Sequence, residues 1–131
     1  MQEVSIKNIS IGVDIEEIPR FKNKTLENDR HFLESIFTKK ELEYCFSQGK
    51  TAQHLCGKFC AKEAFIKAIS EYNISINLNQ IEILNTVDGK PYFNLPETYN
   101  IFDCKLSISH TKSNAVAFVV ISAVKNQEVK E

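Results

Sequence analysis

The chain has 131 residues, 43% of them hydrophobic and 25% charged, with a formal net charge of -1. That length holds one domain with a core and leaves little for a second, and near-neutrality removes any general attraction to nucleic acid or an anionic membrane. No stretch is apolar enough to span a bilayer, and the four cysteines (Cys45, Cys56, Cys60, Cys104) show no Cys-x-x-Cys pair and no zinc spacing, which points to a reducing compartment.

In chain order, Ile9 to Ile18 alternates loosely (Ile9, Ile11, Val13, Ile15) and predicts a strand that Pro19 ends. Asp14 lies between apolar neighbours, the usual position of the solvent-facing half of such an alternation. Asn28 to Phe37 predicts a short helix. Thr38-Lys39-Lys40-Glu41 matches a capping box, so a second helix is expected from Lys39 to about Ser47, broken by Gly49. A long helix follows from Thr51 to Ile69 or Ser70, and Asn73 to Asn79 is polar and irregular.

Ile81 to Leu84 and Pro91 to Leu95 read as two strands joined through the Asp88-Gly89 turn. Pro96 to Asp103 is a loop or short helical turn. Lys105 to His110 and Ala115 to Val124 are two further strands, with Leu106, Ile108 and His110 on one face. Helices gather in the first half and hairpins in the second. The expected fold is α+β, a long buried helix packed on a small, mainly antiparallel sheet. Residues 1–125 are expected to form one domain and 126–131 a charged, frayed tail. The first residues carry no apolar signal core, so a cytoplasmic protein is expected, or one of an organelle lumen if an import signal was removed.

The long helix holds a conflict between pattern and charge. At roughly 100° per residue, Ala52, Phe59, Ile66 and Ile69 fall within about 60° of Leu55, and Lys62 lands about 20° from it. A lysine therefore sits in the centre of the apolar stripe. Glu63 and Lys67 lie on its flank, and Ala61, Ala64, Phe65 and Ala68 make the other side apolar too. Buried Lys and Glu are rare unless paired or binding something. The ordinary alternatives are an exposed Glu63–Lys67 ion pair, a Lys62 stem that carries its ammonium to water, and a solvated Lys58.

The alternative with chemistry is a magnesium and phosphate site. Mg²⁺ takes oxygen ligands and usually one or two protein carboxylates, which Asp14 and Glu63 would supply if strand and helix pack together. Lys62 and Lys67 are the natural phosphate partners. His110, with Ser107, Ser109 and Lys112 beside it, ends a strand and could hold a phosphate or ribose, and Lys90 in the Gly89-Lys90-Pro91 turn is available to an anion. Cys56 and Cys60 lie one turn apart beside His54; a metal or redox pair is conceivable, core packing is the commoner use. The chain has no Ser-His-Asp order, phosphate loop or Gly-x-Gly-x-x-Gly.

Five blocks together resemble the holo-acyl-carrier-protein synthases, the small type of 4′-phosphopantetheinyl transferase. They are Ile11-Gly12-Val13-Asp14-Ile15-Glu16-Glu17-Ile18-Pro19-Arg20-Phe21, Phe37-Thr38-Lys39-Lys40-Glu41-Leu42, Lys58 to Ala68 around Lys62-Glu63-Ala64, Ile81-Glu82-Ile83 with Asp88-Gly89-Lys90-Pro91-Tyr92, and Leu106-Ser107-Ile108-Ser109-His110-Thr111. The resemblance implies transfer of the 4′-phosphopantetheine arm of coenzyme A to a serine of an apo acyl carrier protein, with release of 3′,5′-ADP, in support of fatty acid biosynthesis.

It further implies Asp14 and Glu63 as Mg²⁺ ligands and Lys67 at the diphosphate, so that Asp14, Glu63 and Lys67 form the catalytic group. Lys58, Lys62, Lys90, Pro91, His110 and Thr111 would join Lys67 in holding coenzyme A, and Arg20 would contact the acidic carrier protein. Glu63, directly or through a water, is the expected acceptor of the serine proton. The resemblance implies the 4′-phosphopantetheinyl transferase fold and a homotrimer with sites between subunits.

Three features depart from the pattern. Lys58 stands where an arginine is expected, Ile69-Ser70-Glu71-Tyr72-Asn73 lacks the glycines usual there, and few basic residues (Lys22, Lys24, Arg30) follow Arg20. The rival readings are a Mg²⁺-dependent coenzyme A diphosphate hydrolase and a non-catalytic coenzyme A or carrier-protein binding module.

Overall fold

The structure is a computed structural model that describes residues 8–123. The expected tail at 126–131, and Val124 at the end of the last strand, lie outside the described residues. The elements in order are β1 (Ile9–Glu17), α1 (Leu26–Ile36), α2 (Lys39–Ser47), α3 (Thr51–Ile69), β2 (Glu82–Asn85), β3 (Pro91–Asn94), β4 (Phe102–His110) and β5 (Asn114–Ala123). The α+β expectation holds. β1, β5 and β4 form an antiparallel sheet in the order β1-β5-β4, and β2 and β3 form a separate hairpin.

The signals for α2 and α3 act as read. Thr38 accepts from the backbone N–H of Glu41, whose side chain accepts from the Thr38 N–H, completing the capping box. Gly49 has φ +69°, and Lys50 at φ +51° begins the chain's entry into α3. Two boundaries differ by two residues or more. The first helix starts at Leu26 because Thr25 caps it by accepting from Asn28 N. β4 begins at Phe102, where the Phe102 ring is buried against Tyr72 at 5.0 Å between centroids.

Helix α3 is the centre of the molecule. Twelve of its residues are buried, from Leu55 to Ile69, as a helix apolar nearly all round requires. Gly57 sits against Ile108 of β4, Phe59 against Phe21 and Phe65 against Phe93. The closest approach is to β1: a Cβ on Gly12 would lie 1.9 Å from the Ala64 carbonyl oxygen and 2.9 Å from the Ala68 nitrogen. Only glycine fits there, because any side chain would have to push two backbones apart.

β1 is inverted relative to the expectation. Ser10, Gly12, Asp14 and Glu16 face inward, whereas Ile11, Val13 and Ile15 are 62%, 51% and 64% exposed. Across the sheet, Val13 pairs with Phe118, itself 43% exposed. The outer face of the sheet is therefore apolar and open along β1 and β5, and Asp14 belongs to the inner one.

Candidate active site

The Gly12–Ala64 contact delivers Asp14 to the α3 face that carries Cys60, Glu63, Ala64 and Lys67, residues spaced three and four apart. Lys67 Nζ donates to Asp14 Oδ1 at 3.1 Å and to the Val13 carbonyl at 3.0 Å. The exposed Glu63–Lys67 pair considered above does not form; Lys67 turns to the strand instead. Glu63 is half-buried on the same seam and makes no hydrogen bond or ion pair among the described residues.

The other carboxylate oxygen of Asp14, Oδ2, is buried and has no hydrogen-bond partner. A buried acceptor without a donor costs about 1–3 kcal/mol or more when charged. An orphaned carboxylate oxygen on β1, with an unpaired Glu63 one turn before Lys67 on α3, fits a hard cation. No group of three or more His, Cys, Asp or Glu side chains that could hold a metal occurs among the described residues.

Glu16 shares the inward parity of Asp14 and was missed by sequence reasoning, although position 14 plus two was a sufficient signal. Burial, then contact with the Asp14 carboxylate, pushes its pKa up, while Arg20 pulls it back. Arg20 donates to Glu16 Oε1 at 2.7 Å and stacks over Phe59 at 4.8 Å. Arg20 remains exposed beside an open depression of about 380 Å³ lined by Ile15, Glu16, Glu17, Arg20 and Asn114. A neighbouring groove of about 380 Å³ brings Lys22, Lys50 and Lys112 together. The basic surface near Arg20 thus includes Lys50 and Lys112, distant in sequence.

A second site lies near the start of α3. A cavity of about 170 Å³ is lined by Tyr44, Gln53, His54, Gly57, Lys58, Asn85, Gly89, Pro91, Ile108 and His110. It brings Lys58, Pro91 and His110 together. Gln53 Nε2 meets His110 Nε2 at 3.1 Å. His54 stacks edge-on to Tyr44, and burial pushes its pKa down. Lys90 and Thr111 are exposed outside this lining: the Lys90 N–H donates to Thr86 Oγ1, and Thr111 Oγ1 accepts from Ser113 and Asn114 in the turn before β5.

Two lysines differ from expectation. Lys58 is not solvated: its ammonium is buried, donates to the Ile83 carbonyl at 2.7 Å and Asn85 Oδ1 at 2.6 Å, and sits 4.9 Å over the Tyr44 ring. Lys62 neither snorkels to water nor faces the cavity. It is 0% exposed, 2.7 Å from Glu41 Oε1, and also donates to the Leu78 and Ile81 carbonyls. Three acceptors exhaust an ammonium's donors, so a phosphate contact from Lys62 is excluded in this arrangement. Burial pushes both lysine pKa values down.

Cys56 and Cys60 are buried, and Cys60 donates to the Ala115 carbonyl at 3.3 Å; they are core residues. In place of the missing glycines, Asn73 takes the left-handed conformation at φ +56°, a role asparagine tolerates.

The model of the 4′-phosphopantetheinyl transferase superfamily matches residues 10–120, and the chain belongs to that superfamily. Within it, the relatives are holo-[acyl-carrier-protein] synthases. That of Clostridium novyi is 40% identical over 125 residues, covering 90% of each chain, and that of Cytophaga hutchinsonii 36% identical over 122, covering 86% of this chain and 95% of the relative. Among solved structures, the ACPS-CoA complex from Chronobacterium ammoniagenes superimposes with a TM-score of 0.73 at 28% identity, covering 88% of this chain and 97% of that one. The Helicobacter pylori holo-[acyl-carrier-protein] synthase in complex with coenzyme A gives 0.72 at 29%, covering 86% and 99%.

Proposed function

We propose that this protein transfers the 4′-phosphopantetheine group of coenzyme A to a serine of an apo acyl carrier protein. The observation that carries the reading is the Asp14 seam: a buried, partnerless carboxylate oxygen on β1, with the Lys67 ammonium 3.1 Å from Asp14 and the unpaired Glu63 one turn before Lys67 on the helix. It sits in a chain whose relatives are named for this reaction.

Asp14 and Glu63 would hold Mg²⁺, which when bound would neutralise the diphosphate charge that builds during transfer. Lys67 adds a fixed positive charge at the same place. Glu63 accepts the proton of the carrier serine, directly or through a water. The serine oxygen then forms its bond to the phosphorus that bears pantetheine, and the bond from that phosphorus to the bridging oxygen breaks. 3′,5′-ADP departs with the electron pair. Lys58, Pro91 and His110 hold the nucleotide end, with Lys90 and Thr111 at the rim. Arg20 and the lysines beside it receive an acidic carrier protein.

The active form is a homotrimer with sites between subunits. Two observations support this. Lys58 and Lys67 are nine residues apart, which puts them on opposite sides of α3 and about 13 Å apart along its axis. Reaching both from one chain would require coenzyme A to wrap around the helix. The 170 Å³ cavity is also smaller than the roughly 300–1,000 Å³ of complete small-molecule sites. The apolar face of Ile11, Val13, Ile15 and Phe118 is the surface for a second copy, each such side chain contributing up to about 1.5–3 kcal/mol when covered. A clearly monomeric, active form in sedimentation contradicts it.

No helix among the described residues is long and apolar enough to cross a membrane. A cytoplasmic protein, or one of an organelle lumen, that supports fatty acid biosynthesis is the setting in keeping with this reaction. One incubation with Mg²⁺, coenzyme A and apo carrier protein tests the reading: a pantetheine adduct supports transfer, and cleaved coenzyme A without an adduct supports the hydrolase. Bound but unchanged coenzyme A supports the binding module.

A further inference from the structure

Glu41 and Lys62 form an ion pair with no exposed surface on either side chain, and the proposed chemistry does not use it. Most of its bonds point one way. Glu41 Oε1 accepts from Lys62 and, at 2.9 Å, from the Thr38 N–H; Glu41 Oε2 accepts from the Ile83 N–H at 2.7 Å. Lys62 donates to Leu78 O at 2.9 Å and Ile81 O at 2.7 Å. One turn earlier on α3, Lys58 donates to Ile83 O and Asn85 Oδ1. Apart from the Thr38 cap, these bonds land between Leu78 and Asn85, the segment that enters and forms β2.

β2 has β3 as its ladder partner, and the hairpin is separate from the three-stranded sheet. A two-stranded hairpin is marginal by itself in water. Its far strand and turn give Pro91 and Gly89 to the cavity, opposite Gly57 and Lys58 of α3. Stability alone is a weak reason for the pair, because apolar residues of similar volume often stabilise as well or better. What an apolar pair lacks is directional bonds to the backbone of Thr38, Leu78, Ile81 and Ile83.

We propose that the Glu41–Lys62 pair is a positioning device: it fixes the β2–β3 hairpin against α3 and so sets the width of the cavity that takes the nucleotide end of coenzyme A. Lys62 is thus a positioning residue that acts through the hairpin rather than by contact with substrate. This rests on the transferase reading above.

The test is the double variant E41L/K62M, measured by thermal unfolding, by steady-state kinetics with coenzyme A and apo carrier protein, and by calorimetric binding of 3′,5′-ADP. A misplaced wall should raise the KM for coenzyme A and the Kd for 3′,5′-ADP by about tenfold, with kcat and the KM for carrier protein within about twofold. A folded double variant with wild-type affinity for 3′,5′-ADP overturns the proposal. So does a fall in kcat with that affinity unchanged.

Lys62→Arg keeps the charge but replaces a point donor by a planar fork, and it covers the case in which the double variant does not fold. The same KM-against-kcat split, smaller, is expected, and its absence overturns the proposal. A wild-type protein that neither modifies carrier protein nor binds 3′,5′-ADP removes the transferase reading and the positioning role together. An active wild type with unchanged variants removes the positioning role alone.

Discussion

The two sides of α3 carry the same kinds of charge and treat them in opposite ways. Toward α2 and β2, Lys62 meets Glu41 with every donor matched and no exposed surface. Toward β1, Lys67 is 54% exposed, Asp14 keeps a bare oxygen and Glu63 pairs with nothing among the described residues. Saturation marks structure, and unmet valence in a formed seam marks a place for something else. A lysine in the middle of an apolar stripe drew attention to the helix, but the chemistry belongs to the flank.

The largest expected effect lies on the open side. Asp14→Asn or Glu63→Gln should lower transfer by about a thousandfold or more with the fold intact, and chelation of Mg²⁺ should do the same reversibly. Intact-protein mass of the carrier and circular dichroism check both halves. Wild-type turnover in Glu63→Gln would erase the contrast.

The second prediction sets the lysines against each other. Lys62→Met leaves Glu41 buried and unpaired, and should cost about 3–5 kcal/mol in denaturant unfolding. Lys67→Met removes a pair whose ammonium is 54% exposed although Asp14 is only 11% exposed; it should cost less than Lys62→Met, yet should lower kcat by about a hundredfold. If both variants lose stability alike, the division between the two sides fails.

A third prediction uses the separation of cavity and seam. Asp14→Asn and His110→Ala are each expected to be nearly inactive alone. Mixed and reassembled, they should regain measurable transfer, since some sites would join an intact Asp14 from one copy with an intact His110 from another. No recovery in mixtures shown to exchange subunits would place the whole site in one chain.

The smallest effect concerns the core. Burial pushes the Cys45 and Cys104 thiols up to about 12, and Cys56 and Cys60 are fully buried. Native protein at neutral pH should resist alkylation, and all four cysteines should react once it is unfolded. Rapid native labelling of Cys56 would reopen its redox reading.

Local signals made α2 and α3 legible: a capping box with its Thr38 and Glu41, and Gly49 ahead of an apolar helix. Asp14 was legible as a residue type but not in direction. Alternation gives the parity of a strand, not which face is inner, and in β1 the apolar parity faces outward. Gly12 held the missing clue, because the close approach to Ala64 needs a glycine on the inner face. Glu41 was hidden by its own signature. Its capping role explained it locally, so its partner 21 residues away went unsought. Lys58 read as solvated for the same reason, since Ile83 and Asn85 reach it only in the folded chain.

Incubation of the protein with Mg²⁺, coenzyme A and an apo acyl carrier protein, followed by the intact mass of the carrier, tests the central claim most directly. The account predicts that the carrier gains the mass of one phosphopantetheine at a single serine, that 3′,5′-ADP appears in equal amount, and that Glu63→Gln abolishes both. An unmodified carrier alongside cleaved coenzyme A, or alongside coenzyme A that is bound and intact, would contradict it.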